Sequence, residues 1–250
     1  MKKLLIRADD LGFSEAVNYG IAKSVKEGLV NNVGIMTNMP AAKHGVDLLT
    51  GCKVCYGQHT NICAGYPLSD PAKIPSLVQE NGEFKTSKEY RQAFKEGKDF
   101  VVLEEVILEI EAQYERFQEL TGEKPKYFEG HAVASRNFFK GLSIVAQRHG
   151  LDYLPLSFEP APFRSSVIRV QMKSMDPDYD PKKFLIEVAD HLEEGIVDTF
   201  VGHPGYLDDY ILTHSSLTFP RVKEVEAFCD KEVKEYLQNK EIQLVTYDQL

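Results

Sequence analysis

The sequence lacks the long apolar runs that mark membrane and secreted proteins. No stretch approaches the roughly 18 consecutive apolar residues that a membrane-spanning helix needs. The N-terminal segment MKKLLIRADD has a basic start but only three consecutive apolar residues, which is too short for the hydrophobic region of a signal peptide. We therefore predict a cytoplasmic protein with no membrane partner.

Cysteine is scarce, with four residues in 250. Cys52 and Cys55 form a CxxC pair, but a zinc ribbon needs a second pair, and Cys63 and Cys229 stand apart from each other. Cytosolic compartments keep thiols reduced, so we expect four free cysteines rather than a disulfide framework.

Positive charge is also in deficit. The chain has 29 Lys and Arg against 38 Asp and Glu, a formal net charge of −9, and no Lys/Arg-rich run offsets it. This balance disfavours nucleic acid and anionic membranes as partners, because both attract basic surfaces. The sequence contains neither GxGxxG nor GxxxxGK[ST], so nothing indicates a dinucleotide or a nucleoside triphosphate.

Apolar segments alternate with helical patterns along the whole chain. We predict strands at residues 4–8, 32–37, 53–57, 126–130, 152–156, 166–171, 198–202 and 242–247. Such alternation indicates a mostly parallel sheet, and seven or eight units in a chain of this length fit a distorted or incomplete (β/α) barrel of the TIM type. An open doubly wound sheet is the alternative.

The helical patterns carry recognisable ends. A helix is predicted after Ser14, a good N-cap residue, and others over 104–120 and 137–148, which Gly122 and Gly150 are expected to end. Pro181 and Pro220 mark two more helix starts. We find no repeat and no linker, so we predict a single domain over residues 1–250. Its least regular part is a long excursion at about 64–100, rich in proline, whose role as a lid is left open.

Acidic and imidazole side chains follow several of the predicted strands. Asp9 and Asp10 follow the first strand, His59 follows 53–57, His131 follows 126–130 and His203 follows 198–202. The carboxyl ends of parallel strands meet at one edge of a sheet, where α/β proteins build their sites. We therefore expect these five side chains to converge.

The other histidines serve as a comparison set, because they fall in predicted helices or loops. We expect four residues to lie on the surface or to have their hydrogen bonds satisfied: His44, His149, His191 and His214.

The converging residue types predict metal chemistry. One aspartate with two histidines can bind a divalent ion and leave positions open for water and substrate, and these ligands favour zinc or another transition metal. A second aspartate beside them can accept a proton from water, and His203 is a candidate acid for a leaving group.

The motifs resemble those of the YdjC-like carbohydrate deacetylases, which include the chitooligosaccharide deacetylases. ADDLGFSEAVNYGI, from Ala8 to Ile21, is similar to the opening pattern of that family. GQHTN, EGHAV and GHPG follow in the expected order, and RVKE, with Arg221 and Glu224, resembles a late helix signal. The segments EGHAVAS and TNICAG depart from the family pattern, which leaves the identity of the substrate open.

The resemblance implies a barrel-like α/β fold with one divalent metal, usually magnesium. Asp10, His59 and His131 would be its ligands and Asp9 the general base, and His203 is our candidate to protonate the departing amine. The implied reaction removes the N-acetyl group of a small acetylated amino sugar or a chitooligosaccharide-like oligomer and releases acetate. A homodimer is a common default for such soluble proteins.

Substrate contacts are the least defined part of this interpretation. We predict Arg136, Tyr206 and Arg169 as binding residues, and Tyr66, Phe84 and Tyr210 as further aromatic surfaces for sugar rings.

Two alternatives remain open. Another amidase or a phosphoesterase would have the same metal site, and a phosphoesterase would use Arg136, Arg164 and Arg169 to hold phosphate. A non-catalytic, metal-dependent sugar-binding protein would need the ligands but no proton acceptor such as Asp9.

Overall fold

The computed structural model describes residues 1–155 and 157–250, which form alternating strands and helices. The strands are β1 (Lys3–Leu11), β2 (Asn32–Ile35), β3 (Cys55–Thr60), β4 (Phe128–Gly130), β5 (Ala161–Phe163), β6 (Ser166–Gln171), β7 (Ile196–Gly202) and β8 (Gln243–Leu244). The helices are α1 (Glu15–Lys26), α2 (Ala42–Leu48), α3 (Ser87–Lys95), α4 (Leu103–Thr121), α5 (Arg136–His149), α6 (Pro181–Asp190), α7 (Asp209–His214), α8 (Phe219–Cys229) and α9 (Lys231–Asn239).

The strands form one sheet in the order β4-β3-β2-β1-β7-β6-β5, and β8 pairs with the start of β1. All neighbouring strands are parallel except β5 and β6, which form an antiparallel hairpin. In the described ranges no strand pairing joins β4 to β5, so the barrel stays open between them. The predicted incomplete, mostly parallel barrel is confirmed.

Only one of the two faces of β1 packs against helices, which excludes the doubly wound alternative. Leu4, Ile6 and Ala8 belong to an apolar cluster that includes helix residues such as Ile21 of α1. Leu5, on the opposite face, packs in a cluster built entirely from residues outside α1 to α9. Helices therefore cover the outer face of the strand, whereas a doubly wound sheet carries helices on both faces.

The structure confirms several of the predicted helix ends. Ser14 caps α1 by accepting a hydrogen bond from the Val17 N–H, and Pro181 is the first residue of α6. Gly122 and Gly150 end α4 and α5 in the left-handed conformation that glycine adopts without a Cβ penalty. Local capping chemistry explains why these ends were readable from the sequence.

Several strand predictions need correction. β1 extends to Leu11 and therefore contains Asp9 and Asp10, and the strand predicted at 242–247 is reduced to the two residues of β8. β3 begins at Cys55 and extends to Thr60, so His59 lies inside the strand rather than beyond it. The predicted strand at 152–156 is reduced to a single bridge between Tyr153 and Phe128, and residue 156 lies outside the described residues. The sequence pattern did not show the short strand β5, which contains a proline.

The excursion at 64–100 is a packed part of the fold. Ile74, Leu77, Phe84 and Tyr90 are buried in an apolar cluster with residues of α4 and α5, and α3 lies within the same segment. Phe84 is only 2% exposed, so the prediction that it stacks on a sugar is wrong. The segment contributes its own share of the hydrophobic core.

The cysteines agree with the prediction of free thiols. All four cysteines are free thiols, and burial raises the pKa of Cys55 to about 12, which keeps this thiol protonated. Among the helices of the described residues, none has both the length and the apolar character required to cross a bilayer.

A close backbone contact holds α1 against the loop that follows β7. A Cβ placed on Gly20 would lie 2.5 Å from the Gly205 Cα, and the Tyr206 N–H donates to the Ala16 carbonyl. This contact fixes the position of the GHPG loop, which carries His203.

We predict that Gly20→Ala destabilises the protein. Helix propensity alone favours alanine by about 1 kcal/mol. The clash with backbone atoms of Gly205 outweighs that gain, since overpacking typically costs about 1–3 kcal/mol. Urea unfolding of both proteins measures the change in free energy.

Gly141→Ala is the matched control in α5. Its added Cβ would meet side-chain carbons rather than backbone, at 2.9 Å from Ile110, 3.1 Å from Val106 and 3.6 Å from Ile107, and these can shift. We expect a change close to zero or slightly stabilising. Equal effects of the two substitutions would contradict the backbone contact as the cause.

Candidate functional site

A bulge at the end of β1 brings both acidic side chains to the same site. Strand alternation would place Asp9 and Asp10 on opposite faces of the sheet. Between Ala8 and Leu11, however, the pairing with β2 shifts by one residue, and Asp10 has a φ of 75°. A left-handed residue other than glycine costs roughly 1–2 kcal/mol, and aspartate tolerates it better than most. The chain accepts this cost and presents both carboxylates inward.

Asp10, His59 and His131 place three donor atoms in a small triangle. Asp10 Oδ1 lies 3.2 Å from His59 Nε2 and 3.1 Å from His131 Nδ1, and the two ring nitrogens are 2.8 Å apart. A cation about 2.1 Å from donors at right angles needs donor separations of about 3.0 Å, against about 3.4 Å for a tetrahedron. The triangle therefore fits one face of an octahedral site.

The predicted ligands also leave a negative atom without a partner. Asp10 Oδ1 is buried, and no described residue gives it a hydrogen bond of good geometry. A buried carboxylate oxygen in this state is costly unless a positive charge compensates it. The same three residues form one of two groups in the described chain with donor atoms close enough to hold a metal; the other combines Asp9, His59 and Glu129.

Glu129 orients His59 from the other side of the ring. Its carboxylate contacts His59 Nδ1 at short range, which directs Nε2 toward Asp10. A carboxylate behind a metal-binding histidine fixes the ring and its tautomer. Glu129 was not among the predicted site residues, although it lies only two residues before His131. Only the parallel register of β3 and β4, in which His59 and Glu129 are partners, reveals this contact.

Arg7 lies beneath these acids inside the barrel. Its guanidinium donates to Asp9 Oδ2 at 2.7 Å, lies 3.9 Å from Glu129 and faces the Tyr127 ring. The other oxygen of the first aspartate, Asp9 Oδ1, is buried and accepts no hydrogen bond from the described residues. Gly34 makes room for it, since a Cβ there would lie 2.8 Å from that oxygen.

Arg221, in α8, holds Asp10 in place. Its guanidinium donates to Asp10 Oδ2 at 2.7 Å and to the carbonyls of Leu217 and His203. The side chain is almost completely buried, and its charge lies over the Phe13 ring. The RVKE signal in the sequence therefore marks a residue that anchors the predicted metal ligand.

Buried charge sets the protonation of the triangle. Burial opposes ionisation of Asp10, but the charges of Arg221 and His131 prevail and hold the pKa of Asp10 well below its usual range. Burial also lowers the pKa of His131, yet the nearby Asp10 carboxylate raises it to about 9. Likewise, the carboxylates of Glu129 and Asp9 overcome burial and raise the pKa of His59. Protons thus supply positive charge when no cation does.

His203 lies beside the cluster in a different environment. Its backbone N–H donates to Glu224 Oε2 at 2.5 Å, and its Nδ1 lies 3.2 Å from Ser174 Oγ. Burial lowers the pKa of His203 to about 4, so the imidazole is neutral near pH 7. The structure brings all five predicted chemical residues to one edge of the sheet, as the strand-end argument expected.

Aromatic and apolar side chains form the walls around the cluster. The Phe13 ring meets His131 edge-on at 6.1 Å, and Tyr210 packs on Phe13 at 6.0 Å. Beside Arg7 and Glu129 lies a cavity of about 40 Å³. Its other lining residues are mostly apolar: Gly130, Phe139, Leu154, Pro155, Val170, Met172 and Val201.

The structure places two of the predicted substrate residues away from the cluster. Arg169 pairs with Asp198 and Glu193, and its strand register is level with the start of β7 rather than its end. The Tyr206 hydroxyl is close enough to Lys23, in the last turn of α1, to raise the pKa of that amine. Strand direction and loop course, which the sequence did not show, explain both positions, and substrate binding by either residue stays a prediction.

Arg136 and Tyr66 remain on the outside of the site. Arg136 is exposed at the first turn of α5, where it borders a shallow groove with Phe94 and Lys98. Tyr66 is 56% exposed in the loop after β3. The four comparison histidines lie within or at the ends of α2, α5, α6 and α7. His191 and His214 are exposed, and His44 and His149 are half-buried with hydrogen-bond partners, as predicted.

We predict that a divalent cation releases protons when it binds the triangle. Both His59 and His131 have raised pKa values in the metal-free protein, and metal ligation needs neutral imidazole. Because the two ring nitrogens are 2.8 Å apart, both cannot readily carry hydrogens, so the release at pH 7.5 should lie between one and two protons.

Calorimetric titration with Zn²⁺ and Mn²⁺ in buffers of different ionisation enthalpy measures this number. His131→Gln should lower the number of protons released and weaken binding. His214→Gln, on the exposed α7, is the control and should change neither. Binding without proton release would contradict the assignment of these ligands.

Known proteins resemble this chain along almost its whole length. It is 30% identical over 250 residues to carbohydrate deacetylase 2 of Listeria innocua, with 98% of this chain and 97% of that protein covered. It is 30% identical over 246 residues to the carbohydrate deacetylase of Geobacillus stearothermophilus, with 97% and 96% covered. The crystal structure of an Enterococcus faecalis protein assigned to cellobiose-phosphate cleavage shares the fold, with a TM-score of 0.85, 24% identity and coverage of 99% and 98%.

A family description completes the comparison. The sequence pattern of the YdjC-like protein family matches residues 3–239, a range that contains every member of the cluster described above. The resemblance drawn from ADDLG, GQH, EGH and GHPG is therefore confirmed, and the chain belongs to the family of YdjC-like proteins.

Proposed function

We propose that this protein is a metal-dependent carbohydrate deacetylase. It would remove the N-acetyl group of a small acetylated amino sugar or a chitooligosaccharide-like oligomer and release acetate. The observation that carries this proposal is the triangle of Asp10, His59 and His131 with a further carboxylate, Asp9, directly beside it. The two relatives named carbohydrate deacetylase support the same class of substrate.

Asp10, His59 and His131 would hold one divalent ion. When bound, the ion supplies Lewis acidity toward the amide carbonyl and the attacking water. The family resemblance favours Mg²⁺, and the two imidazoles favour Zn²⁺ or another transition metal. The octahedral spacing of the donors is compatible with either preference, so metal identity needs a direct measurement.

Asp9 is the proton acceptor in this proposal. A general base needs an oxygen with a free lone pair near the reacting water. In the part of the chain that the structure describes, Asp9 Oδ1 has no hydrogen-bond partner, while Arg7 holds the other oxygen in place. Glu129 is less suited, because its carboxylate already orients His59.

His203 would pass a proton to the departing sugar amine. It lies within the charge field of both aspartates, so an acid and a base are available at one site. The apolar cavity beside Arg7 and Glu129 has room for a small acyl group such as acetyl.

The arginine positions argue against a phosphoesterase. Arg164 lies in the turn between β5 and β6, just before β6 begins. Its guanidinium donates to Asp152 and to the backbone carbonyls of Tyr247 and Lys126. Arg169 is also paired far from the strand ends, and Arg7 and Arg221 are committed to the two aspartates. A sugar-binding protein, in turn, would have no use for Asp9 as a proton acceptor.

We predict metal-dependent acetate release that requires Asp9. The metal-stripped protein, restored with Mg²⁺, Mn²⁺, Co²⁺ or Zn²⁺ in turn, is assayed on N-acetylglucosamine, diacetylchitobiose and longer chitooligosaccharides. Asp9→Asn keeps the shape of the side chain but takes up no proton, so turnover should fall about 10²–10⁴-fold with metal affinity nearly unchanged.

Glu129→Gln is the paired control. It should weaken metal binding about 10–100-fold, and excess metal should restore most of the turnover. If turnover were lost in Glu129→Gln even at excess metal, and excess metal restored it in Asp9→Asn, Glu129 would be the base. Metal binding without acetate release from any sugar would contradict the proposed reaction and favour the binding-protein alternative.

We also predict that Val201 limits the size of the acyl group. Val201 lines the cavity, and its Cα is the register partner of Arg7. Val201→Ala should raise the kcat/KM ratio of N-propionyl to N-acetyl substrate about tenfold, since one methylene in a fitted pocket is worth about that much.

Val197→Ala, four residues earlier on the same strand, is the control. This side chain is buried lower in the barrel beside Leu5, so its loss should lower stability and leave the acyl preference unchanged. An unchanged preference in Val201→Ala would place the acyl group elsewhere.

A further inference from the structure

A buried chain of polar groups extends from His203 away from the metal triangle. His203 Nδ1 lies 3.2 Å from Ser174 Oγ, which donates to Glu224 Oε1 at 2.7 Å. The Tyr179 hydroxyl donates to the same oxygen at 2.8 Å, and the His203 backbone N–H occupies Glu224 Oε2. Ser174 and Glu224 are at most 1% exposed. The proposed reaction, as far as Asp9 and the metal ligands carry it, does not use this chain.

The hydrogens in this chain can be arranged in two ways. With Glu224 ionised, the single hydrogen of Ser174 goes to Glu224, so Ser174 accepts from Nδ1–H and the Nε2 of His203 is bare. With Glu224 protonated, the carboxyl donates to Ser174, whose hydroxyl donates to Nδ1, and Nε2 then carries the hydrogen. That proton must sit on Oε1, because Oε2 faces the backbone N–H donor.

We propose that Ser174 and Glu224 form a proton relay that lets a neutral His203 protonate the leaving group. As the C–N bond breaks, the Nε2 hydrogen passes to the amine, Nδ1 takes the hydrogen of Ser174, and Ser174 takes the hydrogen of Glu224. One proton leaves the chain, and the carboxylate remains at its far end. Ser174 and Glu224 are positioning residues that act through His203, and their role rests on the proposed deacetylation.

The surroundings favour storage of the proton on Glu224 rather than on His203. Burial raises the pKa of Glu224 to about 7 despite the hydrogen bonds from Ser174, His203 and Tyr179 and the nearby charge of Arg221. Burial lowers the pKa of His203 to about 4.

The charged and titratable groups that face His203 do not raise its pKa above that of Glu224. Asp10 and Asp9 raise its pKa, while Arg221 and His59 lower it. An imidazolium is therefore scarce near pH 7, and a neutral imidazole needs a relay in order to act as an acid.

The first test reads the tautomer directly and needs no substrate. In ¹⁵N-histidine-labelled, Zn²⁺-loaded protein, with the signal assigned through His203→Gln, we expect the hydrogen on Nε2 below pH 6. It should move to Nδ1 above pH 8 as Glu224 ionises. Ser174→Ala should abolish this change, and Ser174→Thr, which keeps the hydroxyl, should retain it. A tautomer that is independent of pH in the wild-type protein overturns the relay.

The second test separates the relay from simple packing. Ser174→Ala should lower kcat about 10–100-fold with KM within twofold, and should remove the decline in kcat that the relay predicts as pH rises through 7. Ser174→Thr should restore most of the activity. Wild-type kcat in Ser174→Ala overturns the proposal. Absence of acetate release by the wild type would refute the proposed reaction instead, and the tautomer measurement would still decide the relay.

Discussion

The site depends on the burial of two adjacent carboxylates at the end of one strand. Neither could stay ionised in a protein interior without compensation. Arg7 supplies it for Asp9 and Arg221 for Asp10, each at 2.7 Å, from opposite ends of the chain. The bulge at Asp10 makes both contacts possible at once. This electrostatic constraint ties the first strand to the eighth helix.

The two guanidiniums do not neutralise the cluster completely. Together with Glu129 there are three carboxylates against two arginines, so the group keeps one negative charge when His59 and His131 are neutral. In the metal-free protein, the pKa values of His59 and His131 are raised, so protons on these rings supply the missing positive charge. A divalent cation would do so without protons, which links metal binding to the protonation of the site.

The sequence was sufficient to predict the features that depend on local chemistry. Ser14 and the two glycines that end α4 and α5 were readable, as was the convergence of the acids and histidines at strand ends. Contacts that depend on strand register could not be predicted from the sequence. Glu129 is a partner of His59 only across β3 and β4, and Arg169 faces Asp198 because of where β6 begins.

Hydrogen bonds, rather than ion pairs, determine the position of His203. It is held by Ser174 and Glu224, which come from the loop after β6 and from α8, and neither distance in sequence nor residue type predicts that meeting. The site therefore has two halves: a charged half that binds a cation, and a buried, hydrogen-bonded half in which a neutral imidazole keeps a defined orientation.

Anomalous diffraction from crystals soaked in Mn²⁺ or Zn²⁺ tests the central claim most directly. The account predicts one strong peak bonded to Asp10 Oδ1, His59 Nε2 and His131 Nδ1, with Asp9 outside the coordination sphere. A peak held instead by Asp9, His59 and Glu129 would contradict it, because Asp9 would then be a ligand and could not serve as the proton acceptor.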